Sequence, residues 1–298
     1  MGILDKIGNT PMVDLSRLAK PGSKIYAKDE SKNPGGSIKD RIAKFMIEIA
    51  EETGELKPGD RIVEATSGNT GISLSMVAKE KGYKMIVVIP QNMSTERMEK
   101  ISSLGAEIVL VGDSDFEGAV KKAYEISREP NTFIPRQFSN YANIIAHIVT
   151  TGREIVEQFR EREPGKEIDA FVAGTGTGGT LMGVRARLLR EFPDIKTFAV
   201  EPAESAVMSG REPGIHKIQG IGDGFIPDLV DMSFVNGVKA IKSDDAISMA
   251  KTLFKELGLN VGISSGANVI AAIEVAQEFK YVVTVLPDNA DRYKSMGL

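Results

Sequence analysis

The chain has 298 residues, 42% of them hydrophobic and 26% charged, with a formal net charge of −4. That length suits two α/β domains or one large one, and the mild acidity offers no electrostatic footprint for nucleic acid or an anionic membrane. Cysteine is absent and the histidines are two, His147 and His216, which excludes disulfides, thiolate nucleophiles, zinc ribbons and a His-rich metal site.

The residues after Met1 show no basic stretch leading into an apolar one, and no apolar run approaches the ~18 residues of a membrane span. The expectation is a soluble, cytoplasmic protein. In chain order, the pattern predicts a strand over Lys24–Lys28, a helix over Ser37–Thr53 and a strand over Arg61–Ala65. A helix over Gly71–Lys81, a strand over Met85–Ile89, a helix over Ser94–Leu104 and a strand over Glu107–Val111 follow. Next come a helix over Asp115–Ser127, a short strand over Thr132–Ile134 and a helix over Thr151–Arg160. The second half predicts strands over Asp169–Ala173, Thr197–Glu201, Phe234–Val238 and Tyr281–Leu286, with helices over Gly179–Glu191, Ser243–Leu257 and Gly266–Gln277.

The predicted strands are short, rich in Val and Ile, and often apolar on both faces, as in a parallel sheet covered by helices. Ser37 and Asp40 give the first helix a capping-box-like start, and Gly54 stops it. One arrangement occurs twice. A strand ending at Ala65 enters Thr66-Ser67-Gly68-Asn69-Thr70-Gly71, and a strand ending at Ala173 enters Gly174-Thr175-Gly176-Thr177-Gly178-Gly179-Thr180. The fold class is therefore α/β with two lobes, each offering one loop at the carboxyl end of its sheet, and a boundary near residue 145.

The Gly174–Thr180 loop leaves backbone N–H groups uncovered at the positive end of a helix, with three threonine hydroxyls beside them. Such a loop suits a phosphate; a tight structural turn is the competing reading. It is not a Walker A motif, because Thr180 stands where a lysine is needed. Gly174, Gly176 and Gly179 match the spacing of a dinucleotide fingerprint, with Glu201 ending the next strand, so a nicotinamide oxidoreductase stays open.

Lys39 falls in the first turn of its helix, where the dipole disfavours an ammonium and lowers its pKa. That suits Schiff-base or general-base chemistry; an exposed lysine paired with Asp40 is the alternative. The Thr66–Gly71 loop suits a carboxylate, or is a routine turn.

Taken in order, Gly8-Asn9-Thr10-Pro11, Asn33-Pro34-Gly35-Gly36-Ser37-Ile38-Lys39-Asp40-Arg41, Thr66–Gly71, Gly174–Thr180, His216–Gly222 and Pro287-Asp288 with Arg292-Tyr293 resemble one family. It is the cysteine synthase (O-acetylserine sulfhydrylase) and cystathionine β-synthase family of fold-type II pyridoxal-phosphate enzymes, and the resemblance runs from about residue 2 to 295. It implies a tryptophan synthase β-like fold. Residues 35–145 form a smaller mobile lobe with the substrate loop, and residues 1–34 with 146–298 form a larger lobe with the phosphate loop.

The resemblance further implies that Lys39 binds pyridoxal 5'-phosphate covalently and that Gly174, Thr175, Gly176, Thr177, Gly178 and Thr180 cradle its phosphate. Asn69 meets the ring hydroxyl, a small polar side chain such as Asn289 meets the ring nitrogen, and Thr66, Ser67, Thr70 and Gln137 hold the substrate carboxylate. The family is homodimeric and exchanges the β-substituent of serine- or cysteine-type amino acids through an aminoacrylate.

Two positions depart from the family pattern. Asp223 stands where a small apolar residue is usual. A fixed carboxylate repels hydrosulfide, whereas water or a second thiol needs a base. The expected reaction is L-cysteine plus water to L-serine plus hydrogen sulfide. Thioether (lanthionine) formation from two cysteines, ordinary cysteine synthesis from O-acetylserine and sulfide, and an Asp-Gly turn with no chemical role stay open. At Asp288-Asn289, either residue could face the ring nitrogen. His216 is expected to position its loop, His147 to be a satisfied buried histidine, and Met93-Ser94 to line the entrance.

Overall fold

The computed structural model describes residues 2–66, 68–92, 95–113 and 115–296. The chain divides into two compact units: Met1–Ile7 with Lys39–Asn143, and Gly8–Ile38 with Ile144–Leu298.

Unit 1 is built on four parallel strands in the order β5-β4-β3-β6: β3 (Arg61–Ala65), β4 (Lys84–Pro90), β5 (Glu107–Val111) and β6 (Thr132–Phe133). The run Met85–Pro90 is wholly buried, which explains its unbroken apolar sequence. The pleat sends Val63, Ile86 and Val88 against Ala119, Ala123 and Ile126 of helix α4 (Phe116–Ser127). The opposite face meets α2 (Asn69–Lys81), which packs in turn on α1 (Lys39–Thr53). Helix α3 (Thr95–Ser103) completes this layer. The first residues join unit 1, where the sequence assigned residues 1–34 to the larger lobe. Lys44 Nζ donates to Leu4 O at 3.3 Å and ties them to α1.

Unit 2 carries six strands in the order β1-β2-β10-β7-β8-β9: β1 (Met12–Asp14), β2 (Lys24–Asp29), β7 (Ala170–Gly174), β8 (Lys196–Pro202), β9 (Gly237–Ile241) and β10 (Tyr281–Leu286). Only β1, an edge strand of three residues, runs antiparallel; it is too short to show a period and was not predicted. Helices α6 (Gly152–Arg162) and α7 (Gly179–Glu191) contribute to one core, where Phe159 makes edge-to-face contacts with Tyr26, Phe192 and Tyr281. Helices α8 (Ser243–Leu257) and α9 (Ile263–Val275) contribute to the other.

Three boundaries differ from expectation for physical reasons. Helix α1 opens at Lys39 rather than Ser37, because Ser37 bridges Asp288 and Ile38 N donates to Pro287 O at 2.8 Å. Helix α9 opens at Ile263 rather than Gly266. Gly266 is an interior contact: a Cβ there would lie 2.0 Å from Ala246 O of α8. Strand β9 starts at Gly237, because Phe234 belongs to a turn capped by Asp231 and lies under the Arg185 guanidinium. The helix predicted from Thr151 is preceded by α5 (Ala142–Ala146) and a π-helical turn over His147–Thr151.

Candidate active site

In unit 2, β7 delivers its last residue, Gly174, into a loop that ends at the start of α7. The loop is fixed from outside. Thr175 N donates to Val200 O at 3.0 Å, and Gly222 N donates to Thr175 O at 3.1 Å. Its glycines are required by close approach: a Cβ on Gly176 would lie 2.4 Å from Gly220 O, and one on Gly178, at φ +86°, would lie 2.4 Å from Val230. Thr180 Oγ1 bonds His147 Nε2 at 3.2 Å, and His147 Nδ1 bonds Thr151 Oγ1 at 2.9 Å. The π-helical turn thus aims a buried, doubly bonded histidine at the base of this cup. His216 Nε2 bonds Gly222 O at 2.9 Å, as expected of a residue that positions its loop.

Asp223 follows Gly222 directly and is exposed, so its backbone is one residue from a bond to the cup. Glu201 does not offer a ribose its carboxylate. Both oxygens accept bonds from Met208 N, Ser209 N and Ser209 Oγ at 2.5–3.1 Å. The dinucleotide alternative loses the acid it requires.

The segment leading to Lys39 is anchored in the same unit. Asn289 N donates to Gly36 O at 3.3 Å, and a Cβ on Gly36 would lie 2.6 Å from Asn289 Nδ2. Lys39 is covalently the next residue after Ile38, is half-buried, and opens α1. Its neighbour Asp40 is fully buried and accepts the Ser73 hydroxyl. Asp288 Oδ2 accepts the Tyr293 hydroxyl at 2.6 Å.

Sequence reasoning missed Ser265 and Asn268, on the first turns of α9. Both are fully buried. Asn268 Nδ2 donates to Val285 O at 2.9 Å, and its Oδ1 lies 3.1 Å from where a Cβ on Gly174 would stand. Ser265 is one turn closer to the helix start. Thr175 Oγ1, Ser265 Oγ, Asn268 Oδ1 and Asn289 Oδ1 are buried without a hydrogen-bond partner. The Thr175 and Ser265 hydroxyls can donate to an anionic group, the Asn268 and Asn289 amide oxygens can accept from a donor, and the loop stands at the positive end of α7, which fits a polar guest that carries both an anion and a hydrogen-bond donor. The run Gly262-Ile263-Ser264-Ser265-Gly266 carries the same small-residue signal as the two loops singled out from sequence.

In unit 1, β3 passes through Thr66 to Gly68, which N-caps α2. Asn69 and Thr70 form the first turn. Thr70 Oγ1 donates to Gln137 Oε1 at 2.7 Å, so two of the expected substrate-binding side chains meet. Thr66 Oγ1 accepts Gly68 N at 3.4 Å. Ser67, Met93 and Ser94 lie outside the described residues.

The model of a family described as pyridoxal-phosphate dependent enzymes matches residues 3–288. The chain belongs to this family. Over 297 residues it is 49% identical to a cysteine synthase of Staphylococcus aureus, covering 98% of this chain and 94% of the relative. An O-ureido-L-serine synthase structure superposes with a TM-score of 0.93 at 39% identity, covering 98% of this chain and 93% of the other. A hydrogen sulfide-producing enzyme of Fusobacterium nucleatum, solved as an aspartate-to-asparagine mutant with an α-aminoacrylate intermediate, gives a TM-score of 0.91 at 41% identity, covering 98% and 89%. This member of the pyridoxal-phosphate family is thus of the cysteine synthase type, and pyridoxal phosphate is its cofactor. Among the described residues no helix is long and apolar enough to cross a membrane.

Proposed function

We propose that this enzyme replaces the thiol of L-cysteine by water, giving L-serine and hydrogen sulfide, with Asp223 as the base. The observation that carries the reading is the place of Asp223 directly after Gly222, whose N–H donates to Thr175 O of the cup. Pyridoxal phosphate, when bound, supplies the electron sink that makes the α-proton acidic and lets the β-substituent leave.

The chain's own residues do the rest. Gly174, Thr175, Gly176, Thr177, Gly178 and Thr180 hold the phosphate through backbone N–H groups and hydroxyls, and the α7 dipole adds to the attraction. His147 orients the Thr180 hydroxyl. Asn69 is the residue that the resemblance assigns to the ring hydroxyl. Asn289, Ser265 and Asp288, one of whose carboxylate oxygens accepts the Tyr293 hydroxyl, are the candidates for the ring nitrogen. Thr66, Ser67, Thr70 and Gln137 hold the substrate carboxylate.

Lys39 anchors the cofactor, takes the α-proton once released and returns it at the end. Its place at the positive end of α1 favours the neutral amine that such a base needs. Sulfide leaves first, as the C–S bond breaks, and Asp223 then takes a proton from the incoming water as the C–O bond forms. The exposure of Asp223 suits a base that must meet water. We also infer a homodimer working in the cytoplasm.

Product analysis with L-cysteine alone tests the reading: serine and sulfide are expected in equal amounts. In Asp223→Ala, a first-turnover burst of about one sulfide per subunit persists while steady-state release falls about a hundredfold. Unchanged steady-state release overturns the role of Asp223. The second reading, cysteine synthesis from O-acetylserine and sulfide, is favoured by the 49% identity to a cysteine synthase. It prevails if that pair of substrates turns over faster than L-cysteine.

A further inference from the structure

Glu64 is a buried carboxylate that the proposed chemistry leaves without a task. It is 5% exposed and stands one residue before the end of β3. The pleat turns it with Ile62 to the face opposite Val63, toward α2. Its Oε1 accepts Ala65 N at 3.2 Å and its Oε2 accepts Gln137 N at 3.4 Å. Arg136 is held at φ +55°, a left-handed conformation that a residue with a side chain keeps only when its surroundings enforce it. Beyond this turn, Gln137 Oε1 accepts the Thr70 hydroxyl and Gln137 O accepts Asn143 Nδ2 at 2.9 Å.

We infer that Glu64 is a positioning residue for substrate binding: its carboxylate clips the Arg136–Gln137 turn to the end of β3 and sets where the Gln137 side chain meets Thr70. The inference rests on the reading of Thr66, Thr70 and Gln137 as the carboxylate loop.

The electrostatics give the clip a pH signature. Burial raises the Glu64 carboxyl from 4.5 to about 7, against the backbone donors and the Arg136 charge, which lower it. Among the described residues, the charge that acts on it is that of the exposed Arg136. The buried residues of α2, of α4 and of β4 are not ionisable, and Asp40 on α1 is turned to Ser73. An ionised Glu64 offers both oxygens to the turn; a protonated one carries a donor where an acceptor is needed. Acidification through neutrality therefore weakens the two hydrogen bonds that Glu64 accepts, although burial itself favours the neutral carboxyl.

The test compares wild type, Glu64→Gln, Glu64→Asp and Gln137→Ala as holoenzymes, with kcat and KM for L-cysteine and O-acetyl-L-serine from about pH 5.5 to 8.5. Glu64→Gln is expected to raise KM about tenfold at the alkaline end, to change kcat less than about threefold, and to lose the acidic limb of kcat/KM near pH 7. Glu64→Asp keeps the limb with an intermediate KM. Gln137→Ala raises KM at every pH. If Gln137→Ala does so while Glu64→Gln keeps the wild-type KM and acidic limb, the inference is overturned. If Gln137→Ala itself matches wild type, it is the carboxylate-loop reading that fails.

Discussion

The two strand–loop–helix turns, β3 into α2 and β7 into α7, look alike in sequence and are held in different ways. The β7 loop is fixed by steric fit. A Cβ on Gly176 would approach the Gly220 carbonyl to 2.4 Å, and backbone oxygen cannot swing aside. The β3 loop is fixed by polar side chains: Thr70 on Gln137, and Glu64 beneath the turn that carries Gln137. Its Gly68 has no atom within 4 Å of an added Cβ, and its Gly71 meets the ends of Thr66, Ile101 and Val87 at 3.2–3.3 Å. If the β7 loop grips a phosphate and the β3 loop a substrate, as proposed, the first can be rigid from the backbone outward while the second is held by side-chain bonds.

The comparison breaks first at Gly176. Gly176→Ala is expected to weaken pyridoxal-phosphate binding about a hundredfold or more and to cost about 2–3 kcal/mol of stability. Absorbance titration of the apoenzyme and thermal melting measure the two. Wild-type cofactor affinity in that variant removes the steric account of the cup.

A smaller effect separates the loops by pH. The folded-state carboxyl of Glu64 is raised to about 7 from 4.5, so the native state holds a proton that the unfolded chain has released over that interval. Stability from this group is present below the unfolded value and is lost as pH rises through about 7. The loss is at most roughly 3 kcal/mol, and less where the site relaxes or admits water. Glu64→Gln removes the titration. The difference in unfolding free energy between the variant and wild type should therefore grow as pH rises from about 5 to 8. A constant difference refutes the buried charge.

The smallest effect is expected at Gly68→Ala. The residue is at φ −123° with open space around it, and the change costs about 1 kcal/mol or less as an N-cap substitution. A loss as large as that of Gly176→Ala erases the contrast between the turns.

Periodicity made most of the sheet legible. Arg61–Ala65, Glu107–Val111 and Tyr281–Leu286 end where their alternation or apolar run ends. What stayed hidden depended on tertiary neighbours. Gly266 reads as a helix boundary along the chain, yet it is small because α8 crosses it, a fact held by Ala246. Ser37 reads as a cap, but its backbone is spent on Asp288. At the site, Thr70 and Gln137, which the resemblance assigns to one substrate group, are 67 residues apart and bond each other. Glu64 gave no warning, because an acid at the end of a strand looks solvated until the turn from another part of the chain covers it. Ser265 lies in a small-residue helix start that no predicted strand precedes, so it lacks the strand–loop–helix pattern of the other two turns.

The peptide between Ile38 and Lys39 joins the two units, and the amine proposed to carry the cofactor is on one side while the hydrogen bond to Pro287 O is on the other. A polypeptide cut at that bond leaves the lysine on a fragment that no longer owns its mooring. Splitting the gene there and mixing the halves should give assemblies that fold yet misregister their nucleophile, whereas a nick in a remote loop spares it.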